Sequence, residues 1–324
     1  MFVMDESVNL PYEKLAQDCE IVNPTNARES INKITALNFS YPNEYLVLIY
    51  NYFFEHSNSI EVINFLLKRI DKFKDKSSLP LLIDSLLMKS KLAERFPDAE
   101  QITSIRVHIT KVLANTKDSQ AVYPLLYCLN NKDENYKIKL SAAEALGRIG
   151  DRYAVLPLMN VVEDEAEQSV YVKESAVSAL GMIGDEKAVD SLVSILETKK
   201  GFLDKFTFLK ERALEALNKI NFKGERAFNA VVKSLRDESP QVRINAIEVI
   251  MNSEDDRAVE LITDMLFDQN QEVVQNAVIA LYNLIGDDVF VRITDNPDMP
   301  QSAREEAIKL QDDINSEEDC SDEE

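Results

Sequence analysis

The alanine-rich segment that closes on Leu113 recurs five more times, closing on Leu146, Leu180, Leu217, Ile250 and Leu281, with gaps of 33, 34, 37, 33 and 31 residues. A near-constant period of this length is the mark of one small helical unit stacked repeatedly, each copy burying its apolar face against the next. Four positions before the closing residue stand Ile109, Ala142, Ala176, Ala213, Ala246 and Ala277; three before it stand Thr110, Ala143, Val177, Leu214, Ile247 and Val278. Spacings of three and four put these residues and the closing residue on one face of a helix. Alanine on that face lets neighbouring helices approach closely. The face is core.

A turn follows each of these helices. Gly147-Arg148-Ile149-Gly150-Asp151 and Gly181-Met182-Ile183-Gly184-Asp185 are near copies, echoed by Ile285-Gly286-Asp287, and Asp118 and Asp255 hold the equivalent aspartate elsewhere. Glycine suits the left-handed residue past a helix end, and the aspartate caps the helix that comes next. That next helix begins Ala121-Val122-Tyr123-Pro124, Ala154-Val155-Leu156-Pro157 and Ala188-Val189-Asp190-Ser191. Proline is tolerated there because the first N–H groups of a helix lack intrahelical partners. Each unit therefore reads helix, link, alanine-rich helix, turn. The expected fold is all-α: an α-solenoid of stacked antiparallel helix pairs.

The Ala-Leu-Gly-x-Ile-Gly-Asp-x-x-Ala-Val segment resembles HEAT repeats, and more closely the subgroup of phycobilisome-lyase HEAT-like repeats, over residues 102–292 and most strongly over 139–200. The resemblance implies an armadillo-like superhelix whose second helices line the concave side. It also implies a structural role for the cations seven positions before the closing residue, Arg106, Lys139, Lys173, Lys210 and Arg243. At that position HEAT repeats carry an arginine that pairs with carboxylates and carbonyls of adjoining layers; Asp133, Glu134 and Asp237 stand ready in sequence.

Outside the array the pattern changes. Residues 1–24 read as a loosely attached arm and 25–101 as divergent N-terminal helical capping repeats, rich in aromatics at 39–54, with an extended link over 89–101. The array with its C-terminal cap spans 102–310. Residues 311–324 hold eight acidic residues and no basic one, the composition of a disordered tail.

Charge and cysteine content narrow the function classes. A formal net charge of −21 argues against nucleic acid or an anionic membrane as partner, since both call for a basic surface. The ten-residue apolar run 45–54 is too short to span a bilayer, and no basic-then-apolar secretory leader is read at the start. Cys19, Cys128 and Cys320 lack metal or disulfide spacing, so a reducing, cytoplasmic setting is expected, with no metal and no cofactor. The two histidines, His56 and His108, are followed by Ser57 and Ile109, so the His-Glu ligand pairs of HEAT-type deoxyhypusine hydroxylases are missing.

These readings converge on a non-enzymatic protein-interaction scaffold, acidic and suited to a partner with a basic surface. Positions five and two before the closing residue and two after it share one polar face. Its candidate contact residues are Glu144, Arg148, Ser178, Met182, Arg212, Glu215, Lys219, Asn245, Glu248, Asn252 and Asn283. A second candidate contact is the long link of the 37-residue repeat, with Lys199, Lys200, Phe202, Lys205 and Phe206. The alternative reading, taken from the resemblance, is a phycobilin-lyase-like protein that handles a tetrapyrrole and its acceptor protein, with Arg148 and Arg212 as partners for the propionates.

Overall fold

In the computed structural model, which describes residues 10–88, 91–164, 167, 169–198 and 205–321, every regular element among the described residues is helical. The chain forms two compact units, Met1–Pro157 and Leu158–Glu324. That division falls inside the repeat array, some way past the change of sequence pattern near residue 101.

The first unit contains α1 (Tyr12–Asp18), α2 (Ala27–Ala36), α3 (Asn43–His56), α4 (Ile60–Phe73), α5 (Leu79–Leu86), α6 (Leu92–Arg95), α7 (Ala99–Thr116), α8 (Val122–Asn130) and α9 (Tyr136–Ile149), and the start of α10 (Val155–Glu163). The second helices pack in series, α4 on α7 and α7 on α9, with α5 and α8 behind them. Ile109, Ala142, Leu113 and Leu146 are fully buried, as their spacing requires. Tyr50, Phe53 and Phe54 of α3 fill the core of the divergent end, and the Tyr50 hydroxyl donates to Asn38 Oδ1 at 2.9 Å.

Two N-terminal expectations are corrected here. Residues 10–24 are not a loose arm: Leu15, Ala16, Cys19 and Ile21 are buried, and the Asn58 N–H donates to the Val22 carbonyl at 3.1 Å. Without a repeat partner to match, this segment shows no period in sequence, yet its apolar residues close the exposed core edge. The 89–101 link contains α6, where Arg95 Nη1 donates to the carbonyls of Phe54 and Ser57 and so caps α3.

The second unit takes up the rest of α10, then α11 (Val170–Ile183), α12 (Val189–Glu197), α13 (Lys205–Ile220), α14 (Glu225–Ser234), α15 (Pro240–Met251), α16 (Ala258–Asp264), α17 (Gln271–Ile285), α18 (Asp288–Thr294) and α19 (Gln301–Ser321). Here α11, α13, α15 and α17 stack in order and α19 closes the row. Ala176, Ala213, Ala246 and Ala277 are fully buried. At Gly181 the helices approach closely: a Cβ there would lie 2.8 Å from Ala216 Cα. Contact this tight leaves no room for any side chain.

The turns behave as capping chemistry demands. Gly150 and Gly184 take left-handed conformations with φ of 77° and 73°, and Lys74 and Lys117 accept the same strained geometry where glycine is absent. Asp118, Asp151, Asp185 and Asp255 each accept from the N–H two residues on. At the other end, α19 runs on through residue 321, into the stretch whose composition predicts a disordered tail. Ala303 and Ala307 anchor its first turns against α17 and α18, and an anchored helix adds one hydrogen bond per further residue at little cost.

Candidate interaction surface

The polar stripe is carried by successive second helices, and depth sorts its members. At the position five before the closing residue, the short side chains of Ser141, Ser175 and Asn245 are buried; α7 lies over Ser141 and α13 over Asn245. Asn245 is therefore not a contact residue. Its Nδ2 donates to the Glu211 carbonyl at 3.3 Å, and its Oδ1 accepts from Gln241 Nε2 at 2.8 Å, tying α15 to α13. Ser141 meets Thr110 of α7 in the same way. Ser178 is half-buried; Glu144, Arg148, Met182, Lys219, Glu248, Asn252 and Asn283 are exposed.

In the first unit the stripe holds a groove of about 530 Å³ between α7 and α9. Val107, Leu140 and Tyr136 give it apolar lining. Glu100 and Lys137 pair at 3.4 Å at its rim, while Lys111 and Glu144 stand exposed on it with no ion pair among the described residues. A ladder runs alongside: His108 Nδ1 lies 3.1 Å from Asn64 Oδ1, Asn115 donates to Asp71 at 2.9 Å, and Arg148 donates to Asn115 at 3.4 Å. Burial, with Lys68 and Lys111 nearby, holds the His108 pKa below the usual imidazole value, so it is neutral near pH 7.

In the second unit the stripe centres on Arg212. Its Nε donates to Glu174 at 3.0 Å and its Nη1 to both carboxylate oxygens of Glu215 at 2.8 and 2.7 Å. Those bonds raise the guanidinium pKa. Burial raises the pKa of neighbouring Glu211 above the ordinary carboxyl value, and the charges of Glu215, Glu174 and Asp237 add to the effect. Three carboxylates thus surround one guanidinium. Further along, Asn218 donates to Glu248 at 3.0 Å and Asn252 to Asn218 at 3.0 Å; Asn283 lies 3.6 Å from Met251 Sδ.

The cations seven before the closing residue form a separate, deeper belt. Arg106 donates to the Leu86 carbonyl at 2.7 Å and to both oxygens of Glu134 at 2.9 and 2.6 Å. Arg243 grips Asp268 through Nε and Nη2, each at 2.8 Å, and donates to the Asp237 carbonyl. Lys210 bonds Asp237 at 2.5 Å, and Lys173 the Val162 carbonyl at 3.1 Å. Glu134, Asp237 and Asp268 each sit in the link of the following helix pair, so Arg106, Lys210 and Arg243 are inter-layer struts, while Lys173 ties α11 to α10 within its own pair.

The other sequence candidates do not converge on a site. Lys199, Lys200 and Phe202 lie outside the described residues, as do the side chains of Lys205 and Phe206 at the start of α13. His56 stacks on Tyr52 and bonds its carbonyl, on a different element from His108. Cys19 and Cys128 are buried thiols whose pKa burial pushes up to about 11, which makes them unreactive. No helix among the described residues is long and apolar enough to cross a membrane. Sequence reasoning did not foresee the groove lining or the exposed tyrosines of α8; Leu140 and Tyr136 precede the closing residue by six and ten positions, off the expected stripe, and only the partner helix makes them walls.

Layered helix pairs with this internal strut belt define an all-α solenoid. The family model for HEAT repeats matches residues 124–205, 204–283 and 228–309, together more than half of the chain. The chain belongs to the HEAT-repeat family. No curated protein sequence matches it. Among solved structures it is similar to a mutant of Kap121p, with TM-score 0.53 and 15% identity over 94% of this chain and 38% of that one. It is likewise similar to karyopherin Kap121p bound to the extreme C-terminus of the protein phosphatase Cdc14p, with TM-score 0.53 and 14% identity over 91% and 37%. The complex of CpcE and CpcF of phycocyanin lyase from Nostoc sp. PCC7120 scores 0.43 at 20% identity over 72% and 94%.

Proposed function

We propose that this chain is a non-enzymatic, cytoplasmic scaffold that holds a partner protein on its second-helix face, through a basic surface of that partner. The observation that supports the reading is the carboxylate excess on this face: Glu174, Glu211 and Glu215 share Arg212 as cation. A lysine or arginine brought by a partner offsets that excess and speeds encounter. In the first unit the groove beside Glu144 and Lys111 adds an apolar recess for a partner side chain. Family resemblance accords with a binding role, since HEAT arrays work through extended surfaces.

The test is a quantitative pull-down from native lysate at physiological salt. Bait chains carry Glu144→Lys, Glu215→Lys and Glu248→Lys together, beside the unaltered chain, with circular dichroism and thermal melting to verify the fold. The scaffold reading expects the principal basic partner to be lost. Undiminished capture by the folded triple variant removes the second-helix face from consideration.

A further inference from the structure

First helices of the first unit carry an aromatic surface where those of the second unit carry polar and charged side chains. The comparison runs from the buried alanines at the start of successive first helices, Ala121, Ala154, Ala188, Ala227 and Ala258. In the second unit the position before the alanine holds Lys187, Arg226 and Arg257. Two after it stand Asp190, Asn229 and Glu260, and six after it Ser194, Lys233 and Asp264, all of them exposed. Arg226 bridges to Asp190 of the preceding repeat at 3.0 Å, so the first two of these positions are neighbours across a layer. In the first unit those two positions are Tyr153 and Tyr123, 75% and 73% exposed, and the turn that carries Tyr153 lies against α8. Tyr127 stands six after Ala121 at 64% exposed, on the same side of α8 as Tyr123, and Leu156 two after Ala154 at 61%. Polar side chains serve these positions in the second unit, so packing does not call for aromatic ones.

The helix that carries it is also uncharged. In a chain of which 29% is charged, residues 119–131 hold no charged side chain, and neither do 153–157. The exposed side chains of α8 are Tyr123, Tyr127 and Asn130, and none is ionised at neutral pH. Aromatic residues with charge depleted around them are the composition of an interface centre. The missing charge also selects the occupant. A basic partner gains most where carboxylates stand, and these helices offer none. A partner of the same sign as this chain needs a neutral place at which to touch it. A second copy, at the same net charge of −21, is such a partner. Burying these four large side chains on each of two copies removes on the order of 1,000 Å² from water, the low end of what a specific interface needs.

We propose that two copies of this chain associate through this surface about a two-fold axis, α8 against α8 of the other copy, with Tyr123, Tyr127, Tyr153 and Leu156 at the centre. A contact of this kind uses one patch twice and draws only on residues of the first unit. Tyrosine suits it, since the ring packs while the hydroxyl bonds a hydroxyl or amide of the other copy. The residues are those of first helices and their turn, so the contact is independent of the second-helix face.

The experiment is sedimentation velocity on the full chain up to about 200 µM at physiological salt, a range suited to a small interface. A reversible monomer–dimer equilibrium is expected. Tyr127→Asp and Tyr127→Lys introduce the residue types that Asp264 and Lys233 already place at this position of other repeats. Each substitution alone is expected to raise the dimer Kd about tenfold or more, because it removes a central anchor and sets like charges face to face. Mixed in equal amounts, the two variants are expected to form a heterodimer that neither gives alone, since the patch faces its own copy. Chains that stay monomeric at about 200 µM overturn the proposal and leave the surface to a foreign partner. A dimer indifferent to both substitutions overturns it too, as does a mixture no more associated than either variant alone. The position is solvent-facing, and a melting temperature equal to wild type shows that the readout is association and not folding.

Discussion

Arg243 and Arg212 sit on successive second helices, and each holds carboxylate oxygens at hydrogen-bond distance, yet they belong to different regions. The Arg243–Asp268 pair has side chains only 13% and 11% exposed, whereas Arg212, Glu174 and Glu215 are at 39%, 24% and 37%. The difference is two positions in the helix. Seven before the closing residue points into the seam between layers, where water is excluded; five before it points along the second-helix face. Burial makes one arrangement costly to break and therefore a strut. Exposure makes the other cheap to rearrange.

The contrast is tested most directly by Asp268→Ala. It is expected to cost about 3 kcal/mol in urea unfolding, at the low end for breaking a buried pair because the Asp237 and Glu238 carbonyls still serve Arg243. A loss as small as that of a surface pair would erase the distinction between the two belts. Next in size is Gly181→Ala. Its methyl would enter Ala216, so α11 and α13 must separate, at an expected cost of about 1–3 kcal/mol. The same separation lengthens the Arg212–Glu174 bridge, and a crystal structure of the variant would show whether seam and face move together.

Glu215→Gln is expected to lower stability by less than about 1 kcal/mol, and the small effect should fade in 0.5 M salt as exposed charges are screened. Glu211→Gln acts in the opposite direction. Because burial raises the folded-state pKa of Glu211 above its ordinary 4.5, its carboxyl favours the fold while protonated, and that contribution is lost as pH rises through the folded pKa. The variant should accordingly melt higher than wild type at pH 7 and indistinguishably from it near pH 4. A gain that persists at pH 4 would mean that something other than charge is at work.

Much of the seam was readable in advance. The alanines four before the closing residue, the aspartate caps and the partners Glu134 and Asp237 follow from periodicity and local capping, which act over a few residues. The face was readable only in outline. A helical wheel places Asn245 and Arg212 on the same line, but one is buried and the other reaches out. A neighbouring helix shades that line, and only a long side chain clears it. The docked N-terminal segment and the groove floor at Val107 and Leu140 were equally hidden, since both depend on surfaces distant in sequence.

The amino-acid sequence alone determined the helix pair, its period, its turns and the strut cations, because each rests on contacts within one repeat or between a repeat and the next. Tertiary structure decided which polar positions see solvent, which carboxylates outnumber their cations, and where aromatic residues stay uncovered. Those depend on how closely one layer lies on another, to within the width of a methyl group at Gly181, and that distance is set by packing and not by pattern.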